Sequence, residues 1–328
     1  MKRFGILTSG GDAPGMNAAI HALTMSALDK NITCIGFERG YNGVLDNDHR
    51  HLTAHNVKHI SHLGGTILKS ARCTRLLEPN YQSIAAANLT ALKLDGLVVI
   101  GGDGSFKGAL AISKQLDLPI IGIPGTIDND ILGCEFTIGF QTAVQTATEA
   151  IDKIRDTADA LERIFIVEVM GHKSGFIAMN VGIATEAEQI ICPEMQLTQE
   201  TLASGLVQHI TEYKNYYGNS SYIIVMAENS QSQSSATDLA QTLEQSLGIE
   251  CRAVILGHTQ RGGQPISQDR ILAQQLGQYA IESLLNGFHR HMVGLKGGAL
   301  CVTPLLDATK YFKTPNAELL ATYKTRLT

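Results

Sequence analysis

Two glycine- and aspartate-rich segments in the middle of the chain constrain its fold most strongly. Leu97-Val98-Val99-Ile100 precedes Gly101-Gly102-Asp103-Gly104-Ser105, and Ile120-Ile121-Gly122-Ile123 precedes Pro124-Gly125-Thr126-Ile127-Asp128-Asn129-Asp130. Short β-branched runs that end in glycine indicate strands buried on both faces of a parallel sheet. Because open α/β folds bind ligands at the carboxyl ends of such strands, the two segments predict a ligand site.

These segments carry the residues that phosphate chemistry needs. Glycines let the backbone approach a phosphate closely, and an aspartate beside phosphates usually holds Mg²⁺ or handles a proton. Gly10-Gly11-Asp12 repeats the pattern between a predicted strand at residues 4–8 and a predicted helix at residues 16–28. Free N–H groups at a helix start attract anions. If the two strands are neighbours, both Gly-Gly-Asp loops face one crevice, and the prediction is a phosphoryl-transfer site.

Composition argues against several other classes of protein. The chain has 328 residues, 44% of them hydrophobic, which suffices for two domains. Its formal net charge of −5 argues against nucleic acid as a partner. No apolar run reaches the length of a membrane span, and Met1-Lys2-Arg3 leads into a strand rather than a signal peptide. We therefore expect a cytoplasmic protein that does not bind membranes. Six scattered cysteines predict reduced thiols rather than a zinc site.

Predicted strands and helices alternate through the rest of the chain, which indicates an α/β fold with parallel sheets. Further strands are predicted at residues 33–38, 163–169, 189–194, 222–227 and 252–256. Further helices are predicted at residues 81–94, 140–155, 198–214, 239–247 and 269–285. Residues 230–235 are predicted to form a polar loop.

Several predicted loops carry cations or an aromatic ring. Arg72 ends a glycine-led loop that begins at Gly64, and there it is either a surface side chain or a phosphate clamp. Tyr41 is either a core residue or a ring that flanks a nucleotide base. The second half of the chain carries cations at strand ends, namely Arg163, Arg252, His258 and Arg261.

Together the motifs resemble those of the bacterial-type 6-phosphofructokinases. In family order, from about residue 3 to residue 270, the matching segments are Ile6 to Asn17, Ser70-Ala71-Arg72, Gly101 to Ser105, Pro124 to Asp130, Arg163 with Val167 to Gly171, and Leu256 to Gly263. The Gly-Thr-Ile-Asp-Asn-Asp and His-x-Gln-Arg-Gly-Gly blocks are the most specific, because a shorter Gly-Gly-Asp-Gly also occurs in NAD kinases and lipid kinases.

The resemblance implies two similar three-layer α/β domains with mainly parallel sheets and an active site in the interdomain cleft. It assigns nucleotide and Mg²⁺ to residues 1–139 plus about 260–310, and the sugar phosphate to residues 140–259 plus about 311–328. It also implies a homotetramer in which each sugar site borrows residues from a neighbouring subunit.

The implied reaction is ATP-dependent phosphorylation of fructose 6-phosphate at its 1-hydroxyl. Asp128 is then the general base, and Asp130 supports the metal and charge arrangement around it. Asp103 holds Mg²⁺ on the nucleotide phosphates, while the Gly11 N–H and Arg72 stabilise charge on the transferring phosphoryl. The implied nucleotide-binding set is Gly11, Tyr41, Arg72, Cys73, Gly102, Asp103, Gly104 and Ser105.

The resemblance also assigns the acceptor side. Thr126 positions the reacting phosphate or the sugar hydroxyl. His258 and Arg261 bind the 6-phosphate from the same subunit, and Arg163 and Arg252 reach it from a neighbour. The implied sugar-ring contacts are Met170, Gly171, His172 and Glu228.

Two glycines predict the phosphoryl donor. Pyrophosphate-using relatives place aspartate and lysine where this chain has Gly104 and Gly125, and those side chains fill the space of the ATP α-phosphate. The glycines therefore predict ATP as the donor.

The chain departs from the family pattern at several positions. His172 stands where arginine is usual, and an imidazole is a weaker phosphate partner than a guanidinium, although Lys173 is close enough in sequence to compensate. Lys69 stands where glycine is common. The effector site lacks expected cations at His21, Met25 and Ala54, carries an extra negative charge at Glu186 where glycine is usual, and keeps Arg155 and Glu188. These changes predict weak or absent ADP activation and phosphoenolpyruvate inhibition.

Alternative functions remain open from the sequence. The same fold accommodates another donor or sugar, such as pyrophosphate or tagatose 6-phosphate. A low-activity paralogue that binds sugar phosphate and regulates a partner is also open, although intact Arg72, Asp103, Asp128 and Asp130 argue against it. A dinucleotide-binding dehydrogenase fits less well, because neither Gly-Gly-Asp loop continues into Gly-x-Gly-x-x-Gly.

Overall fold

The structure, a computed structural model, describes residues 2–218, 220–230 and 235–327. The chain divides into two compact units. The first contains the residues up to Ile127, Ile131–Thr142 and Arg261–Lys313. The second contains Asp128–Asp130, Ala143–Gln260 and the residues from Thr314 onward. The polar loop predicted at residues 230–235 lies mostly outside the described residues.

Strands and helices alternate along the chain, as the sequence predicts. The strands are β1 (Arg3–Ser9), β2 (Thr33–Phe37), β3 (His49–Leu52), β4 (Gly96–Gly101), β5 (Ile120–Pro124), β6 (Ile164–Val169), β7 (Gln189–Ile191), β8 (Tyr222–Ala227), β9 (Cys251–Ile255), β10 (His291–Lys296) and β11 (Ala299–Pro304). The α-helices are α1 (Met16–Leu28), α2 (Tyr41–Asp46), α3 (Pro79–Ala91), α4 (Asp103–Ile112), α5 (Phe140–Leu161), α6 (Phe176–Ala184), α7 (Gln199–Tyr217), α8 (Ala236–Leu247), α9 (Ser267–Leu285), α10 (Leu305–Lys310) and α11 (Ala317–Thr325). Short 3₁₀ helices span Thr74–Leu77, Pro193–Met195 and Gly257–Arg261.

The first unit is built on a sheet in the order β11-β10-β5-β4-β1-β2-β3. The central strands β10, β5, β4, β1 and β2 are parallel, and the outermost strands β11 and β3 are antiparallel to their neighbours. Every residue of β4 and β5 is buried, as expected for apolar, β-branched strands that are covered on both faces. Helices α1 and α9 pack together in one layer, whereas α2, α3, α4 and α10 form another.

The antiparallel edge of this sheet has a local sequence signal that the pattern analysis missed. Strands β10 and β11 are joined by Gly297 and Gly298, with φ angles of 59° and 74°. Two-residue hairpin turns of type I′ need positive φ at both positions, which glycine adopts without strain. Gly-Gly between two apolar runs therefore indicates a hairpin at this point.

The second unit is built on a smaller sheet in the order β7-β8-β6-β9, in which all described pairs are parallel. Its core contains Ile166, Ile224, Leu206 and Leu243, which come from two strands and from helices α7 and α8. Among the described helices of both units, none combines the length and apolar character that a bilayer span requires.

A buried carboxylate fixes the start of the long helix α5 in the first unit. Asp269, on α9, is fully buried and accepts hydrogen bonds from Gly139 N (2.9 Å), Thr142 N (2.7 Å) and Thr142 Oγ1 (2.6 Å). Burial raises the pKa of this carboxyl, and the three donors counteract that rise. Asp269 therefore supplies partners for N–H groups at the helix start that have no intrahelical acceptor.

We predict that Asp269→Ala destabilises the protein by about 3 kcal/mol or more, because each donor left unsatisfied in the interior costs about 1–3 kcal/mol. Urea denaturation followed by circular dichroism measures the change. Asp117→Ala is the matched control, since the Asp117 side chain is 98% exposed. Equal unfolding midpoints for the two variants would show that the Asp269 contacts do not stabilise the fold.

Candidate active site

Three glycine-containing loops lie side by side at the carboxyl ends of neighbouring strands in the first unit. In the register of β1 with β4, Ser9 lies opposite Gly101, and in the register of β4 with β5, Gly101 lies opposite Pro124. The prediction that the strands before the two Gly-Gly-Asp loops are neighbours is therefore confirmed. The arrangement concentrates glycines at the carboxyl end of this sheet, where open α/β sheets bind ligands.

Gly11 lies directly beneath the guanidinium of Arg261, and both belong to the first unit. A Cβ on Gly11 would be 2.6 Å from Arg261 Nη1, which itself donates a 3.1 Å hydrogen bond to the carbonyl of Asp12. The Gly11 N–H has no hydrogen-bond partner among the described residues. The absence of a side chain at Gly11 thus allows the Arg261 guanidinium to pack against the loop that carries this N–H.

Helix α4 begins at Asp103, after a Gly102 that adopts an extended conformation. Asp103 Oδ1 accepts a hydrogen bond from Gly104 N (2.6 Å), and Oδ2 forms an ion pair with Lys107 Nζ (2.8 Å) one turn along the helix. Ser105 is buried and its hydroxyl donates to the carbonyl of Ser9 (2.9 Å), which links this loop to the first one. Sequence reasoning did not single out Lys107, although its i, i+4 spacing from Asp103 was visible.

The Asp103 carboxylate suits a Mg²⁺ ion bound together with nucleotide phosphates. Its side chain is about one-third exposed (35%). Among the described residues, no group of three or more His, Cys, Asp or Glu side chains forms a metal cage. Mg²⁺ is usually held by one or two carboxylates and by substrate phosphates rather than by an all-protein cage, so this donor set fits.

The two glycines that predict the donor have different surroundings. A Cβ on Gly104 would have no other heavy atom within 4 Å, so open space lies beside it. A Cβ on Gly125 would lie 2.9 Å from Ile100 Cγ2 and 3.3 Å from Met16 Cε, so this position is packed. The space expected from the sequence is therefore present at Gly104, whereas Gly125 is required by the core.

Arg72 is exposed and its guanidinium has no hydrogen bond or ion pair among the described residues. An unpaired guanidinium is available for a phosphate, which it binds bidentately. The neighbouring Cys73 is half-buried and packs against the core of the first unit. The exposed position of Arg72 fits both interpretations, a surface side chain and a phosphate clamp, and the clamp role stays a prediction.

Tyr41 lies in the core of the first unit. Only 3% of the residue is exposed, its hydroxyl donates to the carbonyl of Ser105 (2.6 Å), and burial raises the pKa of the phenol. This placement matches the core alternative for Tyr41, with an indirect link to the loop after β4. A contact between its ring and a nucleotide base stays a prediction.

The loop after β5 passes from one unit to the other. Thr126 is nearly buried, and its carbonyl accepts a hydrogen bond from Thr137 Oγ1 (2.5 Å) within the first unit. Asp128 and Asp130 group with the second unit, in which Ser174 Oγ donates to the Asp128 carbonyl (3.0 Å). Asp130 is 9% exposed. The backbone of this aspartate pair is thus anchored on the second unit.

The second unit brings the predicted sugar-ring residues together. Strands β6 and β8 pair with Val169 opposite Ala227, so the loops that follow them are adjacent. The Glu228 carboxylate accepts hydrogen bonds from the N–H groups of Gly171 (3.2 Å) and His172 (2.8 Å). These contacts fix the orientation of Glu228 relative to the Met170-Gly171-His172 segment.

The 3₁₀ helix Gly257–Arg261 carries the two residues predicted to bind the 6-phosphate from the same subunit. His258 belongs to the second unit, whereas Arg261 is the first residue of a segment of the first unit. Between them Gln260 is fully buried, and its Oε1 accepts a hydrogen bond from Met170 N (3.4 Å). Gln260, which was not predicted as a site residue, therefore ties this helix to the Met170 segment.

Arg163 and Arg252, predicted to reach a neighbouring subunit, share one counter-ion. Glu250 forms ion pairs with Arg163 Nε and with Arg252 Nη2. Arg252 Nη1 also lies 3.4 Å from Glu244. Both Nη groups of Arg163 are thus unpaired within the described residues. In Arg252, by contrast, Nη1 contacts Glu244 and Nη2 contacts Glu250. Sequence analysis missed Glu250, since nothing local marks an acidic residue as a partner of Arg163.

Three positions at which the chain departs from the pattern expected from the resemblance have a left-handed backbone, namely Lys69 (φ 56°), His172 (φ 57°) and Glu186 (φ 51°). At Lys69 and Glu186 the resemblance leads us to expect glycine. A left-handed conformation costs a residue with a Cβ about 1–2 kcal/mol, which glycine avoids. The backbone has therefore kept the conformation that glycine adopts, and both side chains are exposed.

Comparison with known proteins identifies the family. A family model described as phosphofructokinase matches residues 3–284. The chain is 45% identical over 320 residues to ATP-dependent 6-phosphofructokinase 1 of Thermus thermophilus, with 98% of each chain covered. It is 43% identical over 322 residues to the ATP-dependent 6-phosphofructokinase of Persephonella marina, with 96% of each covered.

A solved structure gives the same result for the fold. The phosphofructokinase of Pichia pastoris in the T-state aligns with a TM-score of 0.90 and 30% identity, covering 99% of this chain. This chain spans 37% of the length of that one. The protein belongs to the phosphofructokinase family, and both the resemblance and the fold class predicted from the sequence are confirmed.

Proposed function

We propose that this protein catalyses the ATP-dependent phosphorylation of fructose 6-phosphate at its 1-hydroxyl, giving fructose 1,6-bisphosphate and ADP. The similarity to ATP-dependent 6-phosphofructokinases over nearly the whole chain supports this reaction. The observation that carries it is the adjacency of the two Gly-Gly-Asp loops, fixed by Ser9 opposite Gly101, with open space beside Gly104. We place the reaction, a step of glycolysis, in the cytoplasm.

The donor residues belong to the first unit in this proposal. The Gly11 N–H and the Arg72 guanidinium stabilise negative charge on the transferring phosphoryl, which is where protein groups contribute most to this chemistry. Tyr41, Cys73, Gly102, Gly104 and Ser105 complete the nucleotide site. Asp103 holds Mg²⁺, and the ion neutralises charge on the nucleotide phosphates when bound. Lys107, which pairs with Asp103 Oδ2, would compete with the metal ion for this carboxylate.

The proton of the 1-hydroxyl passes to Asp128, which acts as the general base, and Asp130 supports the metal and charge arrangement around it. Thr126 orients the reacting groups. On the acceptor side, Arg261 and His258 bind the 6-phosphate, and the sugar ring lies against the Glu228 carboxylate and the Met170-Gly171-His172 segment. An ionised base close to the acceptor hydroxyl contributes about 100- to 10,000-fold to such a reaction.

A homotetramer completes the proposal. Arg163 and Arg252 reach the 6-phosphate of a neighbouring subunit, so that residues 140–259 plus about 311–328 form a shared sugar-phosphate domain. Residues 1–139 plus about 260–310 form the nucleotide domain. The Nη groups of Arg163 support this role, because they pair with none of the described residues and can therefore bind phosphate oxygens.

We predict that Asp128→Ser lowers kcat by about 100- to 10,000-fold with little change in KM for either substrate, because only the proton acceptor is lost. A coupled assay for fructose 1,6-bisphosphate measures both constants. Asp117→Ser is the matched surface control. Turnover of Asp128→Ser at the wild-type rate would contradict the assignment of the base.

The donor preference gives a second prediction. Gly104→Asp places a carboxylate in the open space and should lower kcat/KM for ATP by about 10- to 100-fold through repulsion of the phosphates, with an unchanged unfolding midpoint. Gly104→Ala is the matched control, since its methyl group meets no other atom and should leave ATP use intact. Similar kinetics for both variants would show that ATP does not occupy this space.

We also propose that ADP and phosphoenolpyruvate have weak or no effect on this enzyme. Arg155, a cation retained at the predicted effector site, has its donors occupied: Nη1 contacts Glu188 Oε1 (2.8 Å) and Oε2 (3.1 Å), while Nη2 donates to the carbonyls of Thr185 (3.1 Å) and Glu186 (3.2 Å). Lys214 donates to the carbonyl of Ser220 (3.1 Å). The Nη groups of Arg155 are thus engaged within the protein, which supports a weak interaction with a phosphate effector.

Phosphoenolpyruvate should therefore shift the half-saturating concentration of fructose 6-phosphate by less than about twofold, against the roughly 5- to 150-fold typical of allosteric coupling. Saturation curves with and without millimolar effector measure the shift. A strong shift or the appearance of sigmoidal curves would contradict the proposal.

A further inference from the structure

One irregular loop carries Arg72, and polar side chains fasten it to the end of β1 and the start of α1. Residues 53–73 contain no helix or strand, so no regular backbone ladder positions the loop. Thr8, the next-to-last residue of β1, is fully buried, and its hydroxyl donates to the carbonyl of Lys69 (2.7 Å). The same hydroxyl lies 3.1 Å from Thr66 Oγ1.

Asn17 forms hydrogen bonds with the beginning of the same loop. It is 1% exposed and lies in the first turn of α1. Its Nδ2 donates to the carbonyls of Leu63 (3.2 Å) and Gly64 (3.1 Å), and its Oδ1 accepts from Ile67 N (2.7 Å). Both ends of the buried amide are therefore satisfied by loop backbone, which gives the loop one favoured position.

Ser70, two residues before Arg72, forms a hydrogen bond that holds the end of the loop. Its hydroxyl donates to the carbonyl of Gly10 (2.7 Å), the residue before Gly11. On the other side, Arg39 N donates to the carbonyl of Leu68 (2.8 Å). The Arg72 side chain makes no hydrogen bond or ion pair with any described residue, so the backbone of its loop determines where the side chain begins.

We propose that Thr8, Asn17 and Ser70 are positioning residues that hold Arg72 at a fixed spacing from the Gly11 N–H, so that both act on the same phosphoryl group. The proposal rests on the proposed function. Each residue touches loop backbone and none needs to touch substrate. A misplacement of about 1 Å at a reacting centre lowers rates by about 100-fold, so loss of one such hydrogen bond should appear in turnover.

Thr8→Val tests the proposal, because it keeps the shape of the side chain and removes the hydroxyl. We expect kcat to fall by about 10- to 100-fold while KM for ATP and fructose 6-phosphate changes by less than about twofold, as for an interaction made only in the transition state. Thr8→Ser, which keeps the hydroxyl, should retain most of the wild-type turnover.

The matched control is Thr24→Val on α1. Thr24 is also fully buried, but its hydroxyl has no hydrogen-bond partner among the described residues. We expect its kcat within about twofold of wild type, since no polar contact is lost.

Ser70→Ala provides a second variant that alters a less buried position, and it should lower kcat in the same way as Thr8→Val.

A double-mutant cycle separates positioning from stability. If Thr8 acts through Arg72, Thr8→Val should cost less than about twofold in an Arg72→Ala background. Equal losses in both backgrounds, or equal kinetics for Thr8→Val and Thr24→Val, would overturn the proposal. An inactive wild-type protein would instead refute the proposed function itself, so the two failures are distinguishable.

Discussion

The parallel pairing of β1 with β4 is the constraint on which the rest of the candidate site depends. Because Ser9 lies opposite Gly101, the two Gly-Gly-Asp loops leave the sheet at the same edge. A shift of one residue in this register would turn the side chains of β1 to the opposite face and separate the loops. The buried Ser105 hydroxyl, bonded to the Ser9 carbonyl, reinforces this register between the two loops.

Much of this arrangement was predictable because its signals are local. The apolar runs of β4 and β5 and the glycines that end them predict buried parallel strands with ligand-binding loops. Long-range contacts were not predictable in this way. Asp269 caps a helix that begins about 130 residues earlier in the chain, and Glu250 bridges Arg163 and Arg252, yet no periodicity marks either carboxylate.

The structure also shows why particular residue types occur at positions that the sequence had identified. Gly104 borders open space, whereas Gly125 is glycine because Ile100 packs against it, so two positions with the same apparent role have different physical reasons. Tyr41 reaches the loop after β4 from within the core rather than from the surface. Lys69 has a left-handed backbone conformation, and its side chain is exposed.

The loops at the ends of β1 and β4 are proposed to bind the phosphates of ATP. A crystal structure with Mg²⁺ and a non-hydrolysable ATP analogue tests this most directly. The account predicts β- and γ-phosphate density beside the Gly11 N–H and Arg72, with the metal on Asp103 and the α-phosphate next to Gly104. Phosphates bound elsewhere, with Lys107 still paired to Asp103, would contradict it.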